Sequence, residues 1–339
     1  MYVSYSSSDS YAPHTGISIL SLLENNQDSE FIHIFLLDLG ISQKNKEKIQ
    51  QIVDRFHRSI TIMNVDNDTI RNTIQANVPE HFGSLATYAR LCGAVIYPKN
   101  VHRIIFIDSD MIIRKSLKGI FDADMGECVV GAVPGRNAFG ENDINNPEEA
   151  EIGRKHSYYV NCGFLLVDLD NWRKNNFTQN IQRAASELKL FTFKDQTILN
   201  AALEDKYFYR LPCKYNYPFH ANPRYLIKKW AKDYPQLSES EIISAAEDPV
   251  VIHYVGEQCR PWYKENISCM ADEYYKYKSE SPFNNVPLQS IFETPKYKKA
   301  SIIQKIYLKI MFKTYQSRIG YPLYAINQKR LKKRKKRGN

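Results

Sequence analysis

The sequence predicts an α/β protein: a single domain with a mixed sheet flanked by helices, followed by a basic, helical C-terminal appendage. Apolar runs of strand length alternate with segments of helical spacing through the first half of the 339 residues. The apolar fraction of 43% is typical of a folded chain. The charge changes sign toward the C-terminal end. We therefore expect the domain to span residues 1–265 and the appendage residues 266–339.

Strand and helix follow one another along the domain. The segment MYVSY predicts a strand that runs into the polar turn SSSDS, and residues 11–25 have helical spacing. A helix is expected at 42–56, with Ser42 as its N-cap, and another at 85–96. Further strands are expected at 31–38, 59–66, 103–108, 127–134, 161–169 and 249–256. This order predicts a mostly parallel sheet, whose ligands bind beyond the carboxyl ends of strands, where Asp108 and His253 fall.

The basic charge is concentrated in the appendage. From Lys296 onward there are 15 Lys or Arg and no acidic residue. The rest of the chain therefore has 31 of the 46 basic residues and all 37 acidic residues, which gives it a net charge of −6. Residues 301–315 place lysines four apart beside isoleucines, a pattern typical of a basic amphipathic helix. Attachment to an anionic membrane surface is favoured over a solvated tail. Nucleic-acid binding is disfavoured, because no aromatic residues are interleaved with the final basic run.

Several protein classes are disfavoured by composition. The N-terminus lacks the charged and apolar segments of a signal peptide, and no apolar run approaches the ~20 residues of a membrane span. Six scattered cysteines without a C-x-x-C pair indicate reduced thiols. These features predict a cytoplasmic protein.

Four D-x-D tripeptides occur, and one has a distinctive context. Asp108 and Asp110, in RIIFIDSDMII, lie between two apolar runs. Two crowded carboxylates are unfavourable unless one is protonated or a cation lies between them, so the pair can hold a metal, perform acid–base chemistry or be solvated in a loop. The other tripeptides are expected in turns and caps, with Asp170 capping the helix of Trp172: Asp66/Asp68, Asp122/Asp124 and Asp168/Asp170.

A dehalogenase-type phosphatase also has D-x-D after an apolar strand. Its motif lies on the first strand and has Thr or Val two residues after the second Asp. Here the motif begins at residue 108 and Ile112 stands at that position. This interpretation is therefore disfavoured.

A series of motifs from residue 1 to about 265 gives the chain a family resemblance. After the N-terminal strand and turn come LDLGIS (37–42), TYARL (87–91), RIIFIDSDMIIRKSL, YVNCGFLLVDLDNWR (159–173), KDQTILN (194–200) and IHYVGEQCRPW (252–262). In this order they resemble the retaining glycosyltransferases of family 8, such as bacterial lipooligosaccharide α-galactosyl- and glucosyltransferases. The resemblance implies the GT-A (Rossmann-like) fold, a UDP-hexose donor and Mn(II), with Mg(II) as the alternative.

The resemblance also implies the site residues. Asp108, Asp110 and His253 would ligate the metal, which suits two carboxylates and an imidazole. Asp195 and Gln196 match the catalytic pair beside the anomeric carbon. Tyr11 would stack on uracil. The other expected donor-binding residues are Ser7, Ser8, Ser10, Arg90, Asp108, Ser109, Asn161, Cys162, Gly163, His253, Gly256 and Arg260.

The sequence departs from the family at three places. Cys259 replaces a lysine six residues after His253, and Arg260 is expected to contact the diphosphate instead. Ser8 and Ser10 stand where the family has acidic and amide side chains. Gly135 replaces an acid near the donor sugar, which leaves galactose and glucose open.

These inferences predict a retaining hexosyltransferase. It would move galactose or glucose from a UDP-sugar to a hydroxyl of a cell-surface glycan, glycolipid or glycoprotein, on the inner face of the bacterial plasma membrane. Front-face substitution is favoured because Gln196 is a poor nucleophile. Residues 137–159 are expected to fold over the donor. A catalytically inactive protein that binds UDP-sugar or membrane is the competing hypothesis.

Overall fold

The computed structural model describes residues 1–80, 85–134, 152, 158–189, 191, 193–218 and 237–316. Its strands are β1 (Tyr2–Ser7), β2 (His33–Asp38), β3 (Ser59–Asn64), β4 (Arg103–Ile107), β5 (Met111–Ile113), β6 (Val130–Pro134), β7 (Val160–Asp168), β8 (Phe208–Arg210), β9 (Tyr217–Pro218) and β10 (Val251–His253). Its α-helices are Ala12–Glu24, Gln43–Arg55, Asn67–Ile74, Gly93–Ile96, Lys118–Phe121, Leu169–Lys174, Phe177–Glu187, Asp195–Ala202, Glu239–Glu247, Ala271–Glu280, Pro295–Lys298 and Ile302–Gln316. Short 3-10 helices cover Ala86–Cys92, Asp205–Tyr207, Cys213–Tyr215, Glu257–Cys259 and Ile291–Glu293.

The main sheet has seven strands in the order β3-β2-β1-β4-β7-β6-β8. The first four run parallel, β7 is antiparallel to both of its neighbours, and β8 is parallel to β6. Alternate residues of β4 enter different cores: Ile105 packs in one apolar cluster, and Ile104 and Phe106 pack in the other. Both faces of the sheet are therefore covered, which confirms the predicted mixed sheet flanked by helices.

A second, three-stranded sheet has the order β5-β10-β9. The sequence places the strand of His253 in the main sheet, but β10 runs antiparallel to β5, with His253 opposite Met111. The reason is the turn at residues 109–110, which directs the chain out of the main sheet after β4. The turn that carries the Asp pair therefore joins the two sheets.

Two of the predicted helix caps are confirmed and one is wrong. The side chains of Ser42 and Asp66 accept hydrogen bonds from the N–H groups of Asn45 and Thr69. The helix that carries Trp172 is instead capped by Asp168, which accepts from Asn171 N–H, because β7 continues to Asp168 and leaves Asp170 in the first helical turn. The segment 85–96 is helical, as a 3-10 turn followed by a short α-helix.

The C-terminal elements pack against the apolar cluster that contains Ile105. The helix Ala271–Glu280 buries Tyr274 and Tyr277 in this cluster. Within the described residues, no helix has the length and apolar character to cross a membrane. The six cysteines are thiols, as predicted. The division at residue 265 stays a prediction, and Gly135, the tail after residue 316 and all but a few residues of 137–159 lie outside the described residues.

Candidate active site

The two sheets bring two aspartates and a histidine together. The Asp108 N–H donates to the Gly163 carbonyl at 2.8 Å, and the Tyr254 N–H donates to the Asp110 carbonyl at 2.9 Å. This pairing places His253 beside the turn. One ligand atom from each of Asp108, Asp110 and His253 lies within 4.8 Å of the others, and this is the one such metal-ligating group in the described part of the chain.

The imidazole faces both carboxylates through one nitrogen. His253 Nε2 lies 3.3 Å from Asp110 Oδ1 and 4.0 Å from Asp108 Oδ2. Burial alone would raise the pKa of Asp110, but His253 and Arg260 outweigh it and hold that pKa below its usual value. Asp110 is therefore an ionised carboxylate near neutral pH, with the negative charge that a cation needs.

The donor set fits a divalent cation. Two carboxylate oxygens and an imidazole nitrogen suit Mn(II) and leave positions for further oxygen ligands. Their packing depends on a glycine: a Cβ at position 163 would lie 2.5 Å from His253 Cε1 and 2.6 Å from Met111 Cε. His253 can approach the aspartates because residue 163 has no side chain.

Arg90 connects the Asp pair to the helix that begins at Asp195. Its Nη2 lies 2.5 Å from Asp108 Oδ1, its Nε lies 3.1 Å from Asp195 Oδ2, and its Nη1 donates to the Cys162 carbonyl. Asp195 also accepts from the Thr87 hydroxyl at 2.6 Å. Burial raises the pKa of Asp195, although Arg90 and Thr87 oppose the shift. One guanidinium thus holds two carboxylates in place.

Asp195 is not the N-cap of the helix that it begins. The N-cap position belongs to Lys194, which has a φ of +57°. Asp195 is the first helical residue, it is 6% exposed, and its carboxylate faces Arg90. Lys194 takes up the strained backbone that brings Asp195 and Gln196 to the site.

Gln196 lies in a network of amides. Its Oε1 accepts from Asn161 Nδ2 at 3.0 Å and from the Cys162 N–H at 3.3 Å. Asn161 Oδ1 in turn accepts from the Gly163 N–H at 2.9 Å. These bonds bring Asn161 and Cys162, two of the expected donor-binding residues, to Gln196, which is expected to be catalytic, and they engage both lone-pair regions of the Gln196 oxygen.

Hydroxyl groups join the end of β1 to the Asp turn. Thr15 Oγ1 lies 2.8 Å from Ser7 Oγ and 2.7 Å from Ser109 Oγ. Ser8 and Ser10, in contrast, bond to each other at 3.1 Å on the exposed side of the turn. The structure therefore brings Ser7 and Ser109 together and leaves Ser8 and Ser10 outside that hydroxyl network.

Arg260 and two aromatic rings border the triad of Asp108, Asp110 and His253. The Arg260 guanidinium lies 3.1 Å from Asp110 Oδ2, 5.8 Å from the centre of the Tyr11 ring and 5.6 Å from that of Trp262. Gly256, which precedes the Arg260 turn, has a φ of +91°, where a glycine is favoured. Arg260 therefore lies at the site and contacts Asp110, one of the candidate metal ligands. The contact of Arg260 with a diphosphate stays a prediction.

Four contributing residues were missed from the sequence. Thr15 lies in an expected helix, Trp262 ends the motif IHYVGEQCRPW and Thr87 precedes Arg90 in TYARL, but nothing marks their side chains as site-facing. Asn216, which contacts His253, lies in KYNYP, a short segment without periodicity. Their roles depend on pairing between elements distant in sequence, which no local pattern encodes.

Solved structures establish the fold. The galactosyltransferase LgtC, in complex with donor and acceptor sugar analogues, superimposes with a TM-score of 0.64 at 20% identity, over 83% of this chain and 96% of that one. The bifunctional glycosyltransferase WbbM superimposes with a TM-score of 0.66 at 22% identity, over 84% of this chain and 50% of that one. The fold is the GT-A fold of glycosyltransferases.

Sequence comparison gives the family. A profile described as glycosyl transferase family 8 matches residues 2–266. General stress protein A of Bacillus subtilis (strain 168) is 24% identical over 84% of this chain and 96% of its own, and lipopolysaccharide 1,2-glucosyltransferase of Escherichia coli is 23% identical over 91% and 88%. The chain belongs to glycosyl transferase family 8, as its motifs predicted.

Proposed function

We propose that this protein is a retaining, Mn(II)-dependent transferase that moves galactose or glucose from a UDP-hexose to a hydroxyl of a cell-surface glycan. The observation that carries the proposal is the triad of Asp108, Asp110 and His253 within 4.8 Å, at the end of β4 in a family 8 chain. A lipopolysaccharide glucosyltransferase and a lipopolysaccharide galactosyltransferase among the relatives support a glycan acceptor and these two donor sugars.

The triad would hold the cation that binds the diphosphate. When bound, a divalent cation stabilises the negative charge that develops on a leaving UDP. Arg260 would add a second positive group beside Asp110, since a guanidinium makes bidentate contacts with phosphate. Tyr11, next to that guanidinium, would stack on the base, and Ser109 would lie close to the ribose.

Front-face substitution is the mechanism that the side chains favour. The Gln196 oxygen accepts two hydrogen bonds, and the Asp195 carboxylate is paired with Arg90 and Thr87. Because Gln196 is a poor nucleophile and the Asp195 carboxylate is held by Arg90, a covalent bond between either group and the sugar is disfavoured. The acceptor hydroxyl would attack the anomeric carbon on the face that UDP leaves, and its proton would pass to the departing phosphate oxygen.

Release of UDP tests the donor. The full-length protein is incubated with UDP-galactose, UDP-glucose, UDP-N-acetylglucosamine and UDP-glucuronic acid, with Mn(II) or with EDTA. We expect UDP release from one of the first two donors, abolished by EDTA. Release that is equal in EDTA would contradict the metal role. NMR of the glycoside formed on an acceptor hit from a glycan array should show the α-configuration of the donor, and an inverted product would contradict retention.

The C-terminal helix supports a second proposal, peripheral attachment to the inner face of the plasma membrane. Phe312 packs against Phe292 and Tyr297, whereas Ile303 is 80% exposed and Ile310 is 60% exposed. Exposed isoleucines beside lysines suit an anionic lipid surface. This attachment would place the enzyme near a lipid-linked acceptor.

Vesicle sedimentation tests the attachment. The parent should bind vesicles that contain phosphatidylglycerol and should not bind phosphatidylcholine vesicles. The double variant Ile303→Glu/Ile310→Glu should lose binding and keep donor hydrolysis. Val95→Glu changes another exposed apolar side chain, 57% exposed, and is the matched control. Unchanged binding by the double variant would contradict the role of this helix.

A further inference from the structure

We infer that Asn216 is a positioning residue: it holds His253 in the tautomer that presents Nε2 to the two aspartates, and it links that choice to Gln196. The inference rests on the metal site proposed above. It concerns a residue outside every motif of the sequence, and it follows from the direction of a chain of hydrogen bonds.

Backbone groups determine the direction of the chain. The Gly163 N–H can only donate, so the Asn161 atom 2.9 Å away must be the amide oxygen. The Cys162 N–H, 3.3 Å from the side chain of Gln196, identifies Oε1 in the same way. Asn161 Nδ2 then donates to that oxygen at 3.0 Å, which agrees with both assignments. The backbone donors therefore determine which end of each side-chain amide is the oxygen.

The chain continues from Asn161 to the histidine. Asn216 Nδ2 donates to Asn161 Oδ1 at 3.0 Å, so the other end of the Asn216 amide is its oxygen. That oxygen lies 2.8 Å from His253 Nδ1. An oxygen can only accept, so the proton is on Nδ1. In the neutral ring Nε2 then carries a lone pair, and it points to the carboxylates of Asp108 and Asp110.

A lone pair on Nε2 faces a carboxylate oxygen at 3.3 Å, which is unfavourable unless a cation or a proton lies between them. The amide chain thus prepares Nε2 as a ligand atom. In metal sites, a partner on the second ring nitrogen commonly fixes the tautomer of a ligating histidine.

Packing leaves little freedom for another arrangement. Asn216 is 3% exposed and His253 is 4% exposed. Tyr217, the next residue, pairs with Ile252 between β9 and β10, so the backbones hold the two side chains side by side. The ring also lies against the position of Gly163, where a Cβ would meet Nδ1 at 2.9 Å. Removal of the Asn216 amide would leave the Nδ1–H of His253 buried without its hydrogen-bond acceptor.

Two substitutions separate positioning from general packing. Asn216→Leu removes the acceptor for Nδ1–H. Asn216→Asp keeps an acceptor there, but it loses the donation to Asn161 and adds a negative charge. The control is Asn26→Leu, because Asn26 is also fully buried and its amide bonds to Leu22 and Leu117. All variants are full-length proteins.

Two measurements are made on each variant. The first is the Mn(II) dissociation constant, determined by EPR of the free ion without nucleotide. The second is the nitrogen NMR signature of His253 in metal-free protein labelled with ¹⁵N-histidine, assigned with His253→Gln. We expect the parent and Asn216→Asp to show a protonated Nδ1 and Mn(II) dissociation constants within about threefold of each other. We expect Asn216→Leu to lose that signature and to bind Mn(II) about 10–100-fold more weakly, with Asn26→Leu unchanged in both.

The proposal is overturned if Asn216→Leu keeps the protonated Nδ1 and the parental Mn(II) affinity. It is also overturned if Asn216→Asp loses as much affinity as Asn216→Leu, because the acceptor on Nδ1 would then not be the relevant group. A parent that binds no Mn(II) but shows the expected tautomer would contradict the proposed metal and leave the positioning of His253 supported.

Discussion

Gly163→Ala should disrupt the proposed metal site and leave the protein folded. The added Cβ would lie 2.5 Å from His253 Cε1, and ordinary contacts begin at 3.4 Å, so the ring must move by about 0.9 Å. Met111 can move its terminal methyl group, but the buried His253 is held by Asn216. Metal–ligand distances tolerate about 0.2 Å, so His253 would cease to be a ligand. We expect Mn(II) affinity to fall about 100-fold and stability to fall by about 1–3 kcal/mol.

The assay pairs calorimetric titration with Mn(II) and urea unfolding. Gly16→Ala is the matched control, because its Cβ would lie 2.4 Å from Phe283 Cε2, a similar overlap at a different place in the core. It should lose comparable stability and keep Mn(II) affinity. If Gly163→Ala bound Mn(II) as tightly as the parent, His253 would not be a metal ligand in this geometry.

Three further predictions concern stability, each measured by urea unfolding. Burial, with a smaller contribution from Arg260, lowers the pKa of His14 from 6.5 to about 3. The unfolded chain therefore binds a proton that the folded chain does not, and stability should fall by about 2 kcal/mol from pH 7.5 to pH 5. His14→Gln should remove this loss, and the exposed His102→Gln should not; equal pH dependence in parent and His14→Gln would contradict it. Arg90→Met leaves two carboxylates without their guanidinium and should cost about 3 kcal/mol at pH 7.5; a loss under about 1 kcal/mol would show that the pairing matters little. Lys194→Gly should raise stability by about 1 kcal/mol, because glycine accepts the φ of +57° without strain; a destabilised variant would count against strain at this position.

Local patterns predicted most of the elements and the position of the Asp108/Asp110 pair at the end of a strand. The apolar run before Asp108 is a buried strand, and a strand end is where a parallel sheet gathers ligands. Ser42 and Asp66 cap helices because caps are decided by residues within one turn. These features depend on neighbours in sequence, so the sequence alone was sufficient.

Features that depend on pairing between distant segments were not predictable. The strand of His253 has the apolar composition of a main-sheet strand, yet it pairs with Met111–Ile113, and composition does not specify a partner. The cap of the helix of Trp172 moved from Asp170 to Asp168 because the length of β7, set by pairing with β4, decides where the helix begins. The contact of Asn216 with His253 has the same origin.

We propose that Asp108, Asp110 and His253 bind the cation on which transfer from UDP-hexose depends. The most direct test is Mn(II)-dependent hydrolysis of the donor found in the UDP-release screen, compared between the parent and Asp110→Ala, with folding of the variant verified by circular dichroism. Asp110→Ala should hydrolyse the donor at least about 100-fold more slowly than the parent at saturating Mn(II). Hydrolysis at the parental rate by a folded Asp110→Ala variant would contradict it.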